Sequence, residues 1–174
     1  MDNIILVGMP GAGKSTVGVL LAKTLGYAFL DTDLVIQARE GALLQQLLDA
    51  RGQEAFLEAE ADAVCAVSCR CTVIATGGSA VYRTRAVERL RELGRVVYLR
   101  LPLDEVERRL NNIGSRGIAM APGQTLADLY AYRTPLYEGC ADLTVDTAGQ
   151  TLEESVSAVL RALGKDETGP LPTP

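Results

Sequence analysis

The sequence predicts an α/β protein in which helices cover both faces of a parallel β-sheet. Two observations lead to this fold class. Five short apolar runs alternate with helical segments along the chain, and each run is apolar throughout rather than at every second position. Strands that are apolar throughout are buried on both faces, as in parallel sheets. We therefore expect three αβα layers around a five-stranded parallel sheet.

The elements follow from apolar spacing and from the glycines that interrupt it. Gly26 is expected to end the first helix, and breaks are expected near Gly41 and at Arg51-Gly52. In chain order the predictions are strand 3–7, helix 14–25, strand 27–30, a broken helical stretch 34–68, strand 71–75, helix 84–93, strand 95–99, helix 103–110, a helix ending at 137, strand 143–145 and helix 152–163.

Two segments lack the regular spacing of apolar residues that predicts a helix or a strand. Residues 111–124 contain three glycines and one proline, which indicates a mobile lid loop. Residues 166–174 are expected to form a disordered tail. Residues 1–165 then form a single domain, as expected for a chain of 174 residues.

Composition excludes several classes of function. The net charge of −5 disfavours binding to nucleic acid or to anionic membranes, and no apolar run approaches the ~20 residues that span a bilayer. No secretion signal is predicted, so we expect a cytoplasmic protein, and we expect a monomer.

There is no histidine, which excludes histidine-based catalysis. A zinc site would then have to consist of cysteines alone, and it is a weak alternative to free thiols. The cysteines are Cys65, Cys69, Cys71 and Cys140.

A phosphate-binding loop is predicted directly after the first strand. Residues 8–15 read GMPGAGKS and match G-x-x-x-x-G-K-[ST] at the start of a helix, where backbone N–H groups surround phosphates. Lys14 is expected to reach the β- and γ-phosphates, and the Ser15 hydroxyl to coordinate Mg²⁺. A dinucleotide fingerprint is the rival, but Thr16 stands where its third glycine belongs. The predicted ATP-binding residues here are Gly11, Ala12, Gly13, Lys14, Ser15 and Thr16.

Polar residues follow the next two strands at the same expected edge of the sheet. Asp31 and Asp33 come after the second strand, so one carboxylate is expected to face the metal and the other the hydroxyl of a phosphoryl acceptor. The alternative is that one of the two caps a helix that begins at Leu34, a role that would suit Asp33. Gly77-Gly78 after the third strand either admits a small ligand or is an ordinary turn.

Two arginines complete the candidate site. Arg116 in the predicted lid is expected to reach the transferring phosphoryl group when the lid closes, or else is a solvated loop charge. Arg133 is either a clamp for a carboxylate or phosphate, or a partner of a helix C-terminus.

With these residues in this order, the chain resembles the shikimate kinase family. The matching motifs are GMPGAGKST, FLDTD, TGG, VVYL, ERRL and YRTPLYE, and the resemblance covers roughly residues 3–162. It implies a fold of the nucleoside monophosphate kinase type that uses ATP and Mg²⁺. It also implies roles for single residues: Asp31 supports Mg²⁺, Asp33 contacts the acceptor hydroxyls, and Arg109 lies by the adenine. Arg116 is then the lid arginine, and Gly77, Gly78 and Arg133 match acceptor-binding positions.

Three departures from the family pattern concern the acceptor side and the lid. The family's F-R-x-x-E stretch reads FLEAE here, so Leu57 replaces the arginine that grips the shikimate carboxylate. Ser79 replaces the third glycine of a turn and adds a side chain where the acceptor is expected. Gly117-Ile118 replaces Pro-Leu in the lid. Arg83 or Arg85 is a possible substitute for the missing arginine.

Three hypotheses for function therefore remain. The first is transfer of the ATP γ-phosphoryl group to a hydroxyl, with shikimate as the best single acceptor. The second is a kinase for another small hydroxy acid or polyol, which the changes at Leu57 and Ser79 would favour. The third is an ATP-binding protein without catalysis. The joint presence of four residues argues against it: Asp31, Asp33, Arg116 and Arg133.

Overall fold

Five parallel strands form the middle layer of the molecule. The computed structural model describes residues 3–113, 118–120 and 123–165. The strands are β1 (Asn3–Val7), β2 (Ala28–Asp31), β3 (Thr72–Ala75), β4 (Gly94–Arg100) and β5 (Leu143–Asp146). Their order across the sheet is β2-β3-β1-β4-β5, and all neighbouring pairs are parallel, which confirms the predicted sheet.

Seven helices connect and cover the strands within the described residues. They are α1 (Lys14–Leu25), α2 (Thr32–Glu40), α3 (Leu44–Cys65), α4 (Thr84–Leu93), α5 (Leu103–Ile113), α6 (Leu126–Cys140) and α7 (Leu152–Ala162). α1 packs against α7, and α3 packs against α4. No helix among these residues combines the length and the apolar composition needed to cross a bilayer.

The core has two parts. The larger part surrounds β1, whose five residues are all buried, together with the buried faces of β3 and β4. The smaller part joins α2 and α3 through a second cluster of buried side chains. Its members are Ile36, Leu47, Phe56, Leu57, Ala63 and Ala119. A helix pair with a core of its own therefore stands beside the end of β2.

Several helix boundaries differ from the predictions. α2 begins at Thr32 rather than Leu34, because the Asp31 side chain caps it. α5 continues to Ile113, so the predicted loop 111–124 is helical at its start. α6 runs on to Cys140 instead of ending at Tyr137. Residues 114–117, 121–122 and the predicted tail 166–174 lie outside the described residues.

α3 bends where the sequence predicts a break. Gly52 has φ 79° and ψ 172°, a conformation that favours glycine, and it separates the helix into two parts. The other predicted break is the end of α2, where Gly41 has φ 66°. Both breaks are confirmed.

The side chain of Asn3, the first residue of β1, forms hydrogen bonds to residues at the starts of β3 and β4. Its side-chain amide donates to the carbonyls of Cys69 and Leu93, both at 2.9 Å, and its Oδ1 accepts from the Thr72 N–H at 3.0 Å. The residue is buried, so water has no access to replace these partners.

We predict that Asn3→Ala lowers the free energy of unfolding by about 1–3 kcal/mol, because it leaves buried polar groups without partners. Urea denaturation measures the change. Thr24→Ala is the control, since the Thr24 hydroxyl donates to the Leu20 carbonyl at an exposed position. It should change the value by no more than about 0.5 kcal/mol. Equal losses in the two variants would contradict this role for Asn3.

Candidate active site

The phosphate loop, residues 8–15, forms one wall of a cavity at the carboxyl edge of the sheet. Gly11 and Gly13 have φ of 78° and 87°, so the glycines of the motif allow the turn that leads from β1 into α1. The cavity measures about 410 Å³, a size that suits a small-molecule site. Its walls are Pro10, Gly11, Gly13, Lys14, Ser15, Thr16, Asp33, Leu44, Thr76, Gly77, Gly78, Leu110 and Ile118.

Lys14 is the buried cation of this loop. Its side chain is 8% exposed, and Nζ donates to the carbonyls of Gly8 at 2.8 Å and Met9 at 2.9 Å. Burial lowers the pKa of Lys14 to about 8; the carboxylates of Asp33 and Asp31 oppose that shift, and the Arg133 charge adds to it. The ammonium group is therefore a poorly solvated charge that an entering phosphate would stabilise.

Asp31 joins the loop to α2. The Ser15 hydroxyl donates to Asp31 Oδ2 at 2.7 Å, and the N–H of Asp33 donates to Asp31 Oδ1 at 3.0 Å. Asp31 is therefore the cap of α2, which confirms that one of the two aspartates caps this helix and shows that it is not Asp33.

A hydroxyl and a carboxylate beside a phosphate loop fit Mg²⁺, which prefers oxygen ligands and binds through few protein groups plus substrate phosphates. Ser15 and Asp31 supply such a pair. Within the described ranges, no three His, Cys, Asp or Glu side chains are arranged to hold a metal ion on their own. The four cysteines are free thiols.

Asp33 faces the cavity beside Lys14. Burial raises the pKa of Asp33; the nearby Asp31 raises it further, and Lys14 opposes the shift. Gly77 allows this carboxylate to approach the β3 turn, because a Cβ on Gly77 would lie 2.7 Å from Asp33 Oδ1. The structure thus brings the predicted residues Lys14, Asp33 and Gly77 together at one cavity.

Glu60 is a charged residue of this region to which sequence reasoning assigned no role, although it ends the FLEAE stretch. Its side chain is 1% exposed, and it accepts a hydrogen bond from the Ser79 hydroxyl at 2.5 Å. Burial raises the pKa of Glu60 to about 7, the Ser79 hydrogen bond opposes the shift, and Asp33 adds to it. A signal was present: Glu60 interrupts an apolar stripe at helical spacing that contains Phe56 and Val64.

Arg133 lies behind Gly78, outside the cavity wall. It is 1% exposed; Nε donates to the Tyr82 hydroxyl at 2.7 Å and Nη2 to the Ala119 carbonyl at 3.1 Å. Nη1 lies 2.7 Å from the place that a Cβ on Gly78 would occupy. Arg133 is in the middle of α6, so its alternative interpretation as a partner of the helix C-terminus is wrong.

Arg109 packs against the phosphate loop. It pairs with Glu105 one turn earlier on α5, and its Nη1 donates to the Gly11 carbonyl at 3.3 Å. Arg116, the predicted lid arginine, lies outside the described residues.

The two arginines considered as substitutes for the missing clamp have other partners. Arg83 pairs with Glu54 and Glu58, and Arg85 pairs with Glu58 and Asp62. These carboxylates belong to α3, so both guanidinium groups are held against that helix.

Leu57 and Ser79, the two changed positions, also point away from the cavity. Leu57 is 3% exposed and belongs to the α2–α3 apolar cluster, and the Ser79 hydroxyl is directed at Glu60. The expectation that Ser79 adds a side chain to the acceptor space is therefore wrong for the described cavity wall.

A phosphate loop at the end of β1, with carboxylates from the next strand beside it, defines the class of P-loop phosphotransferases. The shikimate kinase family model matches residues 10–164. The chain therefore belongs to the shikimate kinase family, whose members are phosphotransferases that use ATP as the phosphate donor and an alcohol as the acceptor.

Individual relatives agree with this assignment. The chain is 42% identical over 169 residues to a shikimate kinase from Pseudomonas aeruginosa (strain LESB58), which covers 95% of this chain and 98% of the relative. It is 36% identical over 171 residues to one from Chlorobium chlorochromatii, which covers 92% and 90%. A solved structure of shikimate kinase from Acinetobacter baumannii in complex with shikimate matches 97% of this chain and 96% of that one, with a TM-score of 0.87 and 32% identity.

We predict that nucleotide affinity falls at alkaline pH. Lys14 titrates at about 8 in the free protein, and above that pH its neutral amine no longer attracts phosphate. The dissociation constant of ATP should rise between pH 8 and pH 9.5, by up to about tenfold per pH unit once Lys14 is neutral.

Isothermal titration calorimetry at pH 7, 8, 9 and 9.5 measures this dependence. Lys14→Arg is the matched control, since a guanidinium group keeps its charge over this range. A wild-type dissociation constant that stays level from pH 7 to pH 9.5 would show that the charge on Lys14 does not govern nucleotide binding.

Proposed function

We propose that this protein transfers the γ-phosphoryl group of MgATP to a hydroxyl of shikimate and so forms shikimate 3-phosphate. The observation that carries the proposal is the meeting of Lys14 and Asp33 at one cavity. One is a phosphate-binding cation and the other a carboxylate that accepts a proton, and the chain around them belongs to the shikimate kinase family.

The phosphate side of the reaction depends on Lys14 and Ser15. Lys14 moves its ammonium from the Gly8 and Met9 carbonyls to the phosphates and stabilises the charge that develops on the transferring group. We assign Gly11, Ala12, Gly13 and Thr16 to ATP binding and Ser15 with Asp31 to Mg²⁺ binding. Ser15 and Asp31 would hold Mg²⁺, which would supply neutralisation of the negative charge on the nucleotide phosphates.

The acceptor side depends on Asp33. Its carboxylate, next to the Gly77 backbone, orients the acceptor hydroxyl towards the γ-phosphorus. It takes the hydroxyl proton as the new O–P bond forms, while the bond from the γ-phosphorus to the β–γ bridging oxygen breaks and ADP leaves. The raised pKa of Asp33 suits this role because it makes the carboxylate a stronger base than an exposed one. Gly77 and Gly78 then admit the acceptor, and Arg133 behind Gly78 attracts its carboxylate.

Two further arginines are assigned by resemblance. Arg109 lies against the Gly11 carbonyl, which is consistent with a place beside the bound nucleotide. Arg116 is proposed to stabilise the transferring phosphoryl group from the lid.

One observation favours a different acceptor. Leu57 is apolar and buried at the position of the family's carboxylate-binding arginine, and Arg83 and Arg85 are paired with α3. A small polyol without a carboxylate would lose nothing from this change. A non-catalytic role has no such support, since it leaves Asp33 unexplained.

We also propose a monomeric cytoplasmic enzyme. The free thiols of the four cysteines suit a reducing compartment, and the monomeric state stays a prediction.

We predict that shikimate at millimolar concentration stimulates ADP release from MgATP, because an occupied acceptor site turns a nucleotide-binding protein into a phosphotransferase. A coupled ADP assay with a panel of hydroxy acids and polyols measures the effect. The Lys14→Ala protein, checked for folding by circular dichroism, should show no stimulated turnover. Stimulation by a neutral polyol and none by shikimate would overturn the choice of acceptor.

A further inference from the structure

Glu60 is a carboxyl group inside the protein without a positive partner on its own helix. Its charged neighbours are Asp33, which repels it, and Arg133 and Lys14, which attract it. All three belong to other elements. A charged group at 1% exposure needs hydrogen bonds to remain there.

The helix position three residues before Glu60 offers no side-chain donor. Leu57 lies three residues earlier on α3, and residues at this spacing are neighbours on a helix surface. Leu57 instead packs in the α2–α3 apolar cluster.

Ser79 supplies the missing hydrogen bond. Its hydroxyl donates to Glu60 Oε2 at 2.5 Å, and within residues 3–113, 118–120 and 123–165 it is the only donor to this carboxyl group. The serine is held by the turn after β3, where the N–H of Tyr82 donates to the Ser79 carbonyl at 2.9 Å.

The second oxygen of Glu60 points at the acceptor side. A Cβ on Gly77 would lie 2.2 Å from Glu60 Oε1 and 2.7 Å from Asp33 Oδ1, so both oxygens stand over the same backbone atom. Gly77 is part of the cavity wall. Any displacement of Glu60 therefore changes the surroundings of Asp33.

We propose that Ser79 is a positioning residue for the acceptor: its hydroxyl fixes Glu60 beside Asp33 over Gly77, in place of a cation that Leu57 does not provide. The residues at positions 57 and 79 are then coupled, and the turn serine determines how well the site binds a polyhydroxylated acid. This rests on the proposed function.

The kinetic test compares Ser79→Ala with the matched control Ser155→Ala. Ser155 is also buried, and its hydroxyl donates to the Thr151 carbonyl at 2.9 Å on α7. Ser79→Ala should raise the KM for shikimate about tenfold or more and leave the KM for ATP within about twofold, since a hydrogen bond to a charged group is lost. Ser155→Ala should change neither constant.

Adding Leu57→Arg to Ser79→Ala tests the coupling. An arginine three residues before Glu60 reaches its carboxylate, so the double variant should recover most of the lost affinity for shikimate. Wild-type turnover with an unchanged shikimate KM in Ser79→Ala would overturn the proposed role of Ser79 and leave the proposed function intact. A double variant that folds and is as impaired as Ser79→Ala would overturn the coupling.

A measurement of protein stability tests the hydrogen bond between Ser79 and Glu60 without any substrate. Glu60 has a pKa of about 7 in the folded protein against 4.5 as its ordinary value, so its ionisation lowers stability as the pH rises through this window. The Ser79 hydroxyl favours the ionised form, and its loss should extend the decline above pH 7.

The loss of unfolding free energy in Ser79→Ala should therefore be larger at pH 9 than at pH 6. Ser155→Ala should show the same loss at both pH values. If wild type fails to phosphorylate shikimate, the proposed function is wrong, and this measurement still tests the pair. A loss in Ser79→Ala that is independent of pH would overturn the Ser79–Glu60 pair itself.

Discussion

The pairing of β1 with β3, and of β3 with β2, is the constraint on which the site depends. Leu6 of β1 pairs with Ala75 of β3, and Ala75 pairs with Asp31 of β2. The three strands therefore end in one row, and the phosphate loop, the glycine turn and the acidic pair begin at the same edge of the sheet. A slip of one residue would move Asp31 by about 3.3 Å along its strand and turn its side chain to the other face.

At this site, burial shifts the pKa values of Lys14 and Glu60 more than any single neighbouring charge does. It lowers the pKa of Lys14 to about 8 and raises that of Glu60 to about 7, although each group has opposite charges nearby. Both groups are thus shifted towards neutrality in the free protein. A phosphate group next to Lys14 favours its ammonium form, so the entering nucleotide completes the charge balance of the site.

The phosphate side was predictable because its chemistry is local. The phosphate loop and the helix that follows it depend on residues that are close in sequence. The spacing of the glycines indicates the backbone conformation that the loop requires. Asp31 and Asp33 were predictable from their place after a buried strand, although which of them caps α2 was not. That choice depends on the direction of one side chain, which the spacing D-x-D leaves open.

The acceptor side was not predictable to the same depth. Glu60 and Ser79 are 19 residues apart, and their contact exists only after α3 docks on the turn that follows β3. Arg83 and Arg85 could be expected at the acceptor from their distance to the glycine turn, but acidic residues spaced along the facing side of α3 pair with them instead. Such partners depend on the packing of two helices, which no local pattern specifies.

The central proposal is that this site transfers a phosphoryl group from ATP to an alcohol. Phosphorus-31 NMR of the protein with MgATP and shikimate observes that step directly, because ATP, inorganic phosphate and a phosphate monoester give separate resonances. We expect a monoester resonance to grow in step with ADP while the γ-phosphate resonance declines. Growth of inorganic phosphate without a monoester would contradict it, since phosphate would then pass to water rather than to the acceptor.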